Sequence, residues 1–195
     1  MSGPGFFSDK HLQSFVMSVP FSEFVETGTS EGDTARWVAE RGRRVYTCEI
    51  DATLLPRFPL PPSVKSYAMN SPDFLLVVKL LAGDLPLIFL DAHWYGYWPL
   101  LDELRILATE YQSCVIIVHD CAVPGKPNFW ACRGGGADQA GPVCEWDYIK
   151  PALSFERNQY RLFYPTYDDQ TPGYLVLFQN HAPCGDLRDL KEVIC

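Results

Sequence analysis

The stretch FVETGTSEG, residues 24–32, leads from a short apolar run through two glycines into a helical pattern. A strand, a glycine turn and a helix in this order are typical of open α/β sheets, in which ligands bind beside the turn. The glycines let a ligand approach the backbone, and the helix N-terminus offers free N–H groups. This stretch therefore predicts a ligand site at the end of the first strand.

The residues of this turn limit the kind of ligand. Gly28 and Gly32 lack the spacing of the dinucleotide fingerprint, and no lysine follows them as in a phosphate loop. Glu26, at the end of the predicted strand, would repel a pyrophosphate and attract an ammonium group. The turn therefore favours a cationic cofactor that carries a nucleoside, although glycine turns after strands also occur without any ligand.

Strands and helices alternate along the chain on both sides of the turn. Strands are predicted at residues 43–50, 64–67, 85–90, 114–118, 160–164 and 174–179. Helices are predicted at residues 9–19, 33–41, 73–81 and 99–111. Short apolar runs and helical periodicity distinguish the two, and their alternation predicts an α/β domain with a mostly parallel sheet. The tail from residue 180 receives no assignment.

The length of 195 residues predicts a single domain, residues 1–195, because domains commonly hold about 100–200 residues. Residues 122–145 contain glycine, proline and aromatic residues without periodicity, and a loop of this length in a compact domain is usually functional. We expect residues 122–150 to form an insertion on the substrate side, as an acceptor pocket or a lid.

Composition and charge exclude several classes of partner. The net charge is −8 with only 16 basic residues, which disfavours a nucleic-acid-binding surface. No apolar run is long enough to span a membrane, and residues 1–10 do not resemble a signal peptide. Seven cysteines, an odd number, indicate reduced thiols and a cytoplasmic location. Aromatic residues at 94–98 and 129–130, expected to be exposed, would suit a homodimer.

Polar residues follow three of the predicted strands. Glu49 ends the second strand, where a carboxylate can accept both hydroxyls of a ribose. Asp91 and His93 follow one buried strand, and His119 and Asp120 follow the next. Because neighbouring parallel strands end at the same edge of a sheet, these two groups should meet.

Several roles are open to the Asp91 and His119 groups. Carboxylates favour Mg²⁺ or Mn²⁺, whereas two histidines with carboxylates would also suit iron or zinc. Alternatively, His93 or His119 acts as a general base, or the residues only cap turns. Cys121, Cys132 and Cys144 do not have the spacing of a known zinc motif, which disfavours a zinc site shared with His119.

In order along the chain, these segments resemble the motifs of class I S-adenosylmethionine-dependent methyltransferases. FVETGTSEG resembles the first motif, YTCEID at 46–51 the acidic strand end, IFLD at 88–91 the fourth strand, and MNSPD at 69–73 the adenine contact. FLDAHW at 89–94 and VIIVHD at 115–120 are most similar to the metal-dependent small-molecule O-methyltransferases of the catechol and macrocin type.

The resemblance implies a Rossmann-like, doubly wound sheet of seven strands in the order 3-2-1-4-5-7-6, with strand seven antiparallel. It implies S-adenosyl-L-methionine as cofactor, and the predicted cofactor-binding residues are Glu26, Gly28, Thr29, Gly32, Glu49, Ser71 and Asp91. It also implies a divalent metal, with magnesium favoured, on Asp91, His119 and Asp120. Two features depart from the catechol type: residues 93–95 contain no lysine base, and the pair after strand five is His-Asp.

The predicted function is methyl transfer from S-adenosylmethionine to an oxygen of a small-molecule acceptor. His93 and Asp91 are the predicted catalytic residues, and His93 would replace the missing lysine as base. Two alternatives remain open at the level of sequence: a cofactor-binding protein without methyltransferase activity, and a metal-dependent hydrolase or oxygenase on the same sheet.

Overall fold

A computed structural model describes residues 8–55, 57–93, 97–134 and 141–193. Its strands are β1 (Glu23–Thr27), β2 (Arg44–Glu49), β3 (Val64–Ala68), β4 (Leu87–Leu90), β5 (Val115–His119), β6 (Tyr160–Pro165), β7 (Tyr174–Gln179) and β8 (Leu190–Val193). Its helices are α1 (Lys10–Ser18), α2 (Asp33–Glu40), α3 (Ser71–Lys79), α4 (Leu100–Glu110) and the short α5 (Trp146–Ile149), which a 3₁₀ turn at Lys150–Ala152 follows.

The strands form one sheet in the order β3-β2-β1-β4-β5-β7-β6-β8. Strands β1 to β5 pair in parallel, and β7 is antiparallel to both β5 and β6. This confirms the predicted order and the predicted antiparallel strand. The unassigned tail supplies an eighth strand at the edge, where β8 pairs with β6 in antiparallel fashion.

Helices cover both faces of the sheet, and each face has its own apolar core. Val25 and Ile88 point to the core beneath α3 and α4, whereas Phe24 and Phe89 point to the core beneath α1 and α2. Strands β4 and β5 are buried on both faces, and this is why they read as nearly continuous apolar runs rather than as alternating ones.

Helix α3 begins two residues earlier than predicted. The side chain of Asn70 caps it by accepting a hydrogen bond from the Asp73 N–H (2.9 Å), and Pro72 suits the first turn. The earlier start places Ser71 in the first turn of the helix, at the sheet edge where the parallel strands end.

Backbone hydrogen bonds fasten the segment that follows β5. The Ala122 N–H donates to the Cys144 carbonyl (2.7 Å), and the Cys144 N–H donates to the Cys132 carbonyl (2.9 Å). Phe129, expected among the exposed aromatics, is instead buried in the core, because the segment folds back over the sheet. Trp94, Tyr95 and residues 135–140 lie outside the described residues. Among the helices of the described ranges, none is long and apolar enough to cross a bilayer.

Candidate cofactor and acceptor site

A cavity of about 460 Å³ lies at the carboxyl ends of β1, β2 and β4. It is lined by Gly28, Ser30, Cys48, Glu49, Ile50, Asp51, Leu54, Met69, Ser71, Asp91, Ala92 and His93. Cavities of this size hold small ligands and cofactors, and the position is the one expected for ligands of open α/β sheets. The structure thus brings five of the predicted site residues to one wall: Gly28, Glu49, Ser71, Asp91 and His93.

Gly28 is required at the turn after β1 for two reasons. Its φ of +84° lies in the left-handed region, and a Cβ on it would lie 2.8 Å from the Asp91 carbonyl oxygen. Only glycine therefore lets the turn pack against the end of β4. This close approach forms the floor of the cavity.

Thr29 and Gly32 lie behind the wall rather than on it. Thr29 is buried, and its N–H donates to the Cys48 carbonyl (2.9 Å). Gly32 is the N-cap of α2 with a φ of +76°, and a Cβ there would lie 2.5 Å from a methyl group of Leu60. Both residues shape the turn, and neither lines the cavity.

Glu26 is buried beneath the turn and also does not line the cavity. Its Oε2 accepts a hydrogen bond from the Thr47 hydroxyl at 2.7 Å, and that hydroxyl lies 2.7 Å from the Thr29 hydroxyl. Burial raises the pKa of Glu26 to about 8, against the lowering effect of Thr47. At neutral pH this carboxyl is mostly protonated, which differs from the exposed counter-charge that the sequence predicted.

Glu49 occupies the predicted position for ribose recognition. Its two carboxylate oxygens accept hydrogen bonds from the Ser30 N–H (2.9 Å) and the Asp51 N–H (3.0 Å). These bonds fix the orientation of the side chain, and each oxygen keeps a second lone pair for a ligand hydroxyl. The carboxylate is therefore preorganised on the wall of the cavity.

Glu103 lies behind Ser71 and was not among the site residues predicted from the sequence. Burial raises the pKa of this fully buried carboxyl to about 7, whereas the Ser71 and Thr27 hydroxyls lower it. The sequence does hold an indication: Glu103 interrupts the apolar face that Leu100, Leu104 and Leu107 form at helical spacing. A carboxyl on such a face must either find polar partners or stay neutral.

The ends of β4 and β5 bring the predicted metal-binding side chains together. His119 Nδ1 lies 3.1 Å from Asp91 Oδ1 and 3.3 Å from Asp120 Oδ1. Burial lowers the pKa of His119, but the two carboxylates outweigh it and raise the pKa to about 9. The three residues therefore form an ion-paired group in which the imidazolium compensates carboxylate charge.

His93 is the imidazole at the cavity wall. Its Nδ1 lies 3.2 Å from the Asp91 carbonyl oxygen, which can only accept, so Nδ1 carries a proton. Nε2 lies 3.6 Å from Asp120 Oδ2, and the ring stacks beside Trp98. In the neutral ring, Nε2 is the nitrogen that can take a proton from a substrate or bind a metal.

Cys132, from the segment after β5, joins this corner of the site. Its thiol donates to Asp120 Oδ2 at 3.0 Å, and its backbone N–H donates to the Asp120 carbonyl at 2.8 Å. Local spacing could not show this, because 12 residues separate the two side chains and the intervening loop brings them back together.

Comparison with solved structures reveals similarity across most of the chain. A methyltransferase from Archaeoglobus fulgidus, described as S-adenosylmethionine-dependent, has a TM-score of 0.59 at 10% identity, over 87% of this chain and 91% of that one. One from Mesorhizobium loti, described in the same way, has a TM-score of 0.53 at 12% identity, over 90% and 99% of the two chains. The chain has the fold of these methyltransferases. No protein-family model matches it, and no curated protein matches it significantly.

This fold accounts for the location of the cavity. The sequence identity between the chain and these structures is too low to transfer residue roles from them. The roles of Gly28, Glu49, Asp91 and His93 therefore rest on the geometry of the cavity itself.

Proposed function

We propose that the protein transfers a methyl group from S-adenosyl-L-methionine to an oxygen of a small molecule. The observation that supports this is the convergence of a glycine turn, an oriented carboxylate and an imidazole on one cavity, in Gly28, Glu49 and His93. Glu49 would accept the ribose hydroxyls, Ser71 and Met69 would border the adenine, and the methionine part would lie over Gly28.

The chain fits this cofactor in two respects. A Cβ at position 28 would lie 2.8 Å from the Asp91 carbonyl oxygen, so the glycine allows the turn to pack against the end of β4 and keep the shape of the cavity. The carboxylate of Glu49 already has its orientation, so little ordering would be needed on binding. When bound, the cofactor supplies an electrophilic methyl group on a positively charged sulfur.

In this mechanism His93 is the general base and Asp91 an electrostatic partner. Nε2 of His93 takes the proton of the acceptor hydroxyl, while the Nδ1–H bond to the Asp91 carbonyl holds the ring in the required tautomer. The Asp91 side chain lines the same cavity and adds negative charge beside the cationic cofactor. Positioning of the acceptor oxygen supplies most of the remaining rate enhancement.

The magnesium prediction finds little support in the donor set. Mg²⁺ prefers oxygen ligands in octahedral geometry, whereas the nitrogen of His119 lies within 3.3 Å of both Asp91 and Asp120 and already pairs with their oxygens. No catalytic step is therefore assigned to magnesium on Asp91, His119 and Asp120.

The remaining elements of the proposal concern the surroundings of the site. We place the acceptor beside His93, under the segment 122–150, whose ends are fastened by backbone hydrogen bonds.

The six cysteines of the described residues are free thiols, which favours a cytoplasmic location. Exposed Tyr97 and Trp130 are candidates for a homodimer contact.

Calorimetric titration with S-adenosylhomocysteine, the product form of the cofactor, tests the binding part. We expect one site per chain and at least about a tenfold loss of affinity in Glu49→Gln, because a charged hydrogen bond contributes about 1.5–3 kcal/mol. Glu40→Gln, an exposed acidic residue at the end of α2, is the matched control and should bind like the wild type. Absence of binding in the wild type would refute the proposal.

A turnover assay with phenol, sugar and carboxylate acceptors tests the reaction. His93→Ala should lose methyl transfer while its affinity for S-adenosylhomocysteine stays within a few-fold of the wild type. Full activity in this variant would remove His93 from the mechanism. Cofactor binding without turnover on any acceptor would support the non-methylating alternative instead.

A further inference from the structure

Three donor atoms of different chemistry meet where the segment after β5 approaches His93, at the edge of the cavity. They are His93 Nε2, Asp120 Oδ2 and Cys132 Sγ, and all lie within 4.8 Å of one another. Asp120 Oδ2 is 3.6 Å from His93 Nε2 and 3.0 Å from Cys132 Sγ. Around a tetrahedral zinc ion, the bond lengths to nitrogen, oxygen and sulfur place neighbouring ligand atoms roughly 3.3–3.6 Å apart. We propose that His93, Asp120 and Cys132 bind a zinc ion.

The backbone holds two of these ligands in place before any metal binds. The Cys132 N–H donates to the Asp120 carbonyl at 2.8 Å, so the backbones of the two residues are adjacent and their side chains start close together. Asp120 has a left-handed φ of +56°, which is uncommon for a residue other than glycine, and its carboxylate lies in the cluster. Its second oxygen, Oδ1, is buried and makes no hydrogen bond within the described residues, although it lies 3.3 Å from His119 Nδ1.

His93 has the hydrogen bond that metal-binding histidines usually have. Such a histidine donates its other ring N–H to a carboxylate or a backbone carbonyl, which fixes the tautomer and increases the basicity of the ligating nitrogen. Here Nδ1 lies 3.2 Å from the Asp91 carbonyl oxygen, which leaves the lone pair of Nε2 on the side of Asp120 and Cys132.

The chemistry of the three donor atoms favours zinc. A thiolate and an imidazole favour zinc over magnesium or calcium, which prefer oxygen ligands. One thiolate, one carboxylate and one neutral imidazole together balance the two positive charges of the ion. The thiol proton that Cys132 now donates to Asp120 would be released to solvent on binding.

Three protein ligands leave the fourth position of a tetrahedral ion open, as in catalytic rather than structural zinc sites. Because His93 also lines the cavity, an ion held there would lie beside the region proposed for the acceptor. A zinc ion there would polarise the acceptor oxygen, and His93 would act as its ligand instead of as a free base. Metal binding itself does not depend on the proposed methyl transfer.

Titration of the metal-free full-length chain with Co²⁺, followed by absorption spectroscopy, tests the proposal directly. Cobalt occupies zinc sites and reports its ligands: a thiolate gives a charge-transfer band in the near ultraviolet, and tetrahedral geometry gives intense visible bands. We expect both signals, saturating at one equivalent and abolished by excess Zn²⁺. Zinc content after dialysis, measured by mass spectrometry, should likewise approach one per chain.

Variants identify the ligands. Cys132→Ser should lose the charge-transfer band, and His93→Ala should weaken cobalt binding at least tenfold. Cys184→Ser is the matched control, because Cys184 interacts with Arg161, outside the proposed site. Circular dichroism checks that each variant folds.

Two outcomes would overturn the zinc site. One is absence of any charge-transfer band in the wild type. The other is an undiminished band in folded Cys132→Ser, which would assign the thiolate to another cysteine. Cobalt binding in the first case would place the ion on oxygen and nitrogen donors, such as Asp91 and His119. The separate titration with S-adenosylhomocysteine shows independently whether the proposed function fails.

Discussion

At the scale of single residues, Glu26 carries its proton because of where the turn places it. Its carboxyl is enclosed beneath the β1–α2 connection, and its hydrogen bond comes from the Thr47 hydroxyl rather than from a basic group. Burial disfavours the ionised form, and the charges of Asp91 and Glu49 add to this effect, which together raise its pKa to about 8. Unfolding would expose the carboxyl to water and restore an ordinary pKa.

This difference predicts how stability depends on pH. Because the folded state holds the Glu26 proton more tightly than the unfolded state, its contribution is complete below about pH 4.5 and is lost as the pH rises towards 8. Relative to Glu26→Gln, the wild type should lose up to about 1.4 kcal/mol of unfolding free energy per pH unit in this window. Urea denaturation of both proteins at several pH values measures this difference in unfolding free energy.

Glu103 titrates in the same range but is present in both proteins, so the difference between them isolates Glu26. A constant difference in unfolding free energy from pH 5 to 8 would show that Glu26 is ionised in the folded protein throughout.

At the scale of secondary-structure elements, local sequence predicted the central strands well and the boundaries less well. Strands β4 and β5 were recognisable because both faces are buried, so nearly every position is apolar. The edge strand β8 was missed, because only its first residue, Leu190, is buried and the next three residues are exposed. It forms through pairing with β6, to which the ion pair of Arg161 and Glu192 contributes, and neither is visible in local periodicity.

The β1–α2 turn gives a prediction at this scale. Gly28→Ala should destabilise the protein by about 1–2 kcal/mol for its left-handed backbone, plus about 1–3 kcal/mol for the contact between the new Cβ and the Asp91 carbonyl. Gly42→Ala is the matched control, since Gly42 has a similar φ of +79° but no atom within 4 Å of the position that a Cβ would take. It should cost only the backbone part.

Thermal or chemical denaturation of both glycine variants provides the measurement. Equal losses of stability would mean that the turn does not need its close approach to the end of β4. The affinity of Gly28→Ala for S-adenosylhomocysteine should also fall, whereas that of Gly42→Ala should not.

At the scale of the whole molecule, the sheet gathers residues that are far apart in the chain. Gly28, Glu49 and Asp91 reach one cavity because β1, β2 and β4 run parallel and end at the same edge. Both faces of the sheet are covered by apolar cores, so we expect the domain to unfold as one cooperative unit.

Cofactor binding should therefore stabilise the whole domain. S-adenosylhomocysteine at 100 times its dissociation constant should add about 2.7 kcal/mol, which for a chain of this size raises Tm by roughly 5–10 °C. Differential scanning calorimetry measures the shift, and Glu49→Gln should show a smaller one at the same concentration. The dinucleotide NAD, which the spacing of the glycines disfavours, is the negative control. A shift with NAD but not with S-adenosylhomocysteine would contradict the proposed cofactor.

The sequence by itself determined the alternation of strands and helices as far as β5, the glycine turn, and the meeting of Asp91 with His119 and Asp120. These follow from local periodicity, from turn residues, and from the rule that adjacent parallel strands share an edge. Only the tertiary structure decided that Glu26 is buried, that β8 completes the sheet, and that Cys132 returns to Asp120 and His93. Burial and contacts through an aperiodic loop depend on how distant segments pack, and such packing leaves no regular spacing in the sequence.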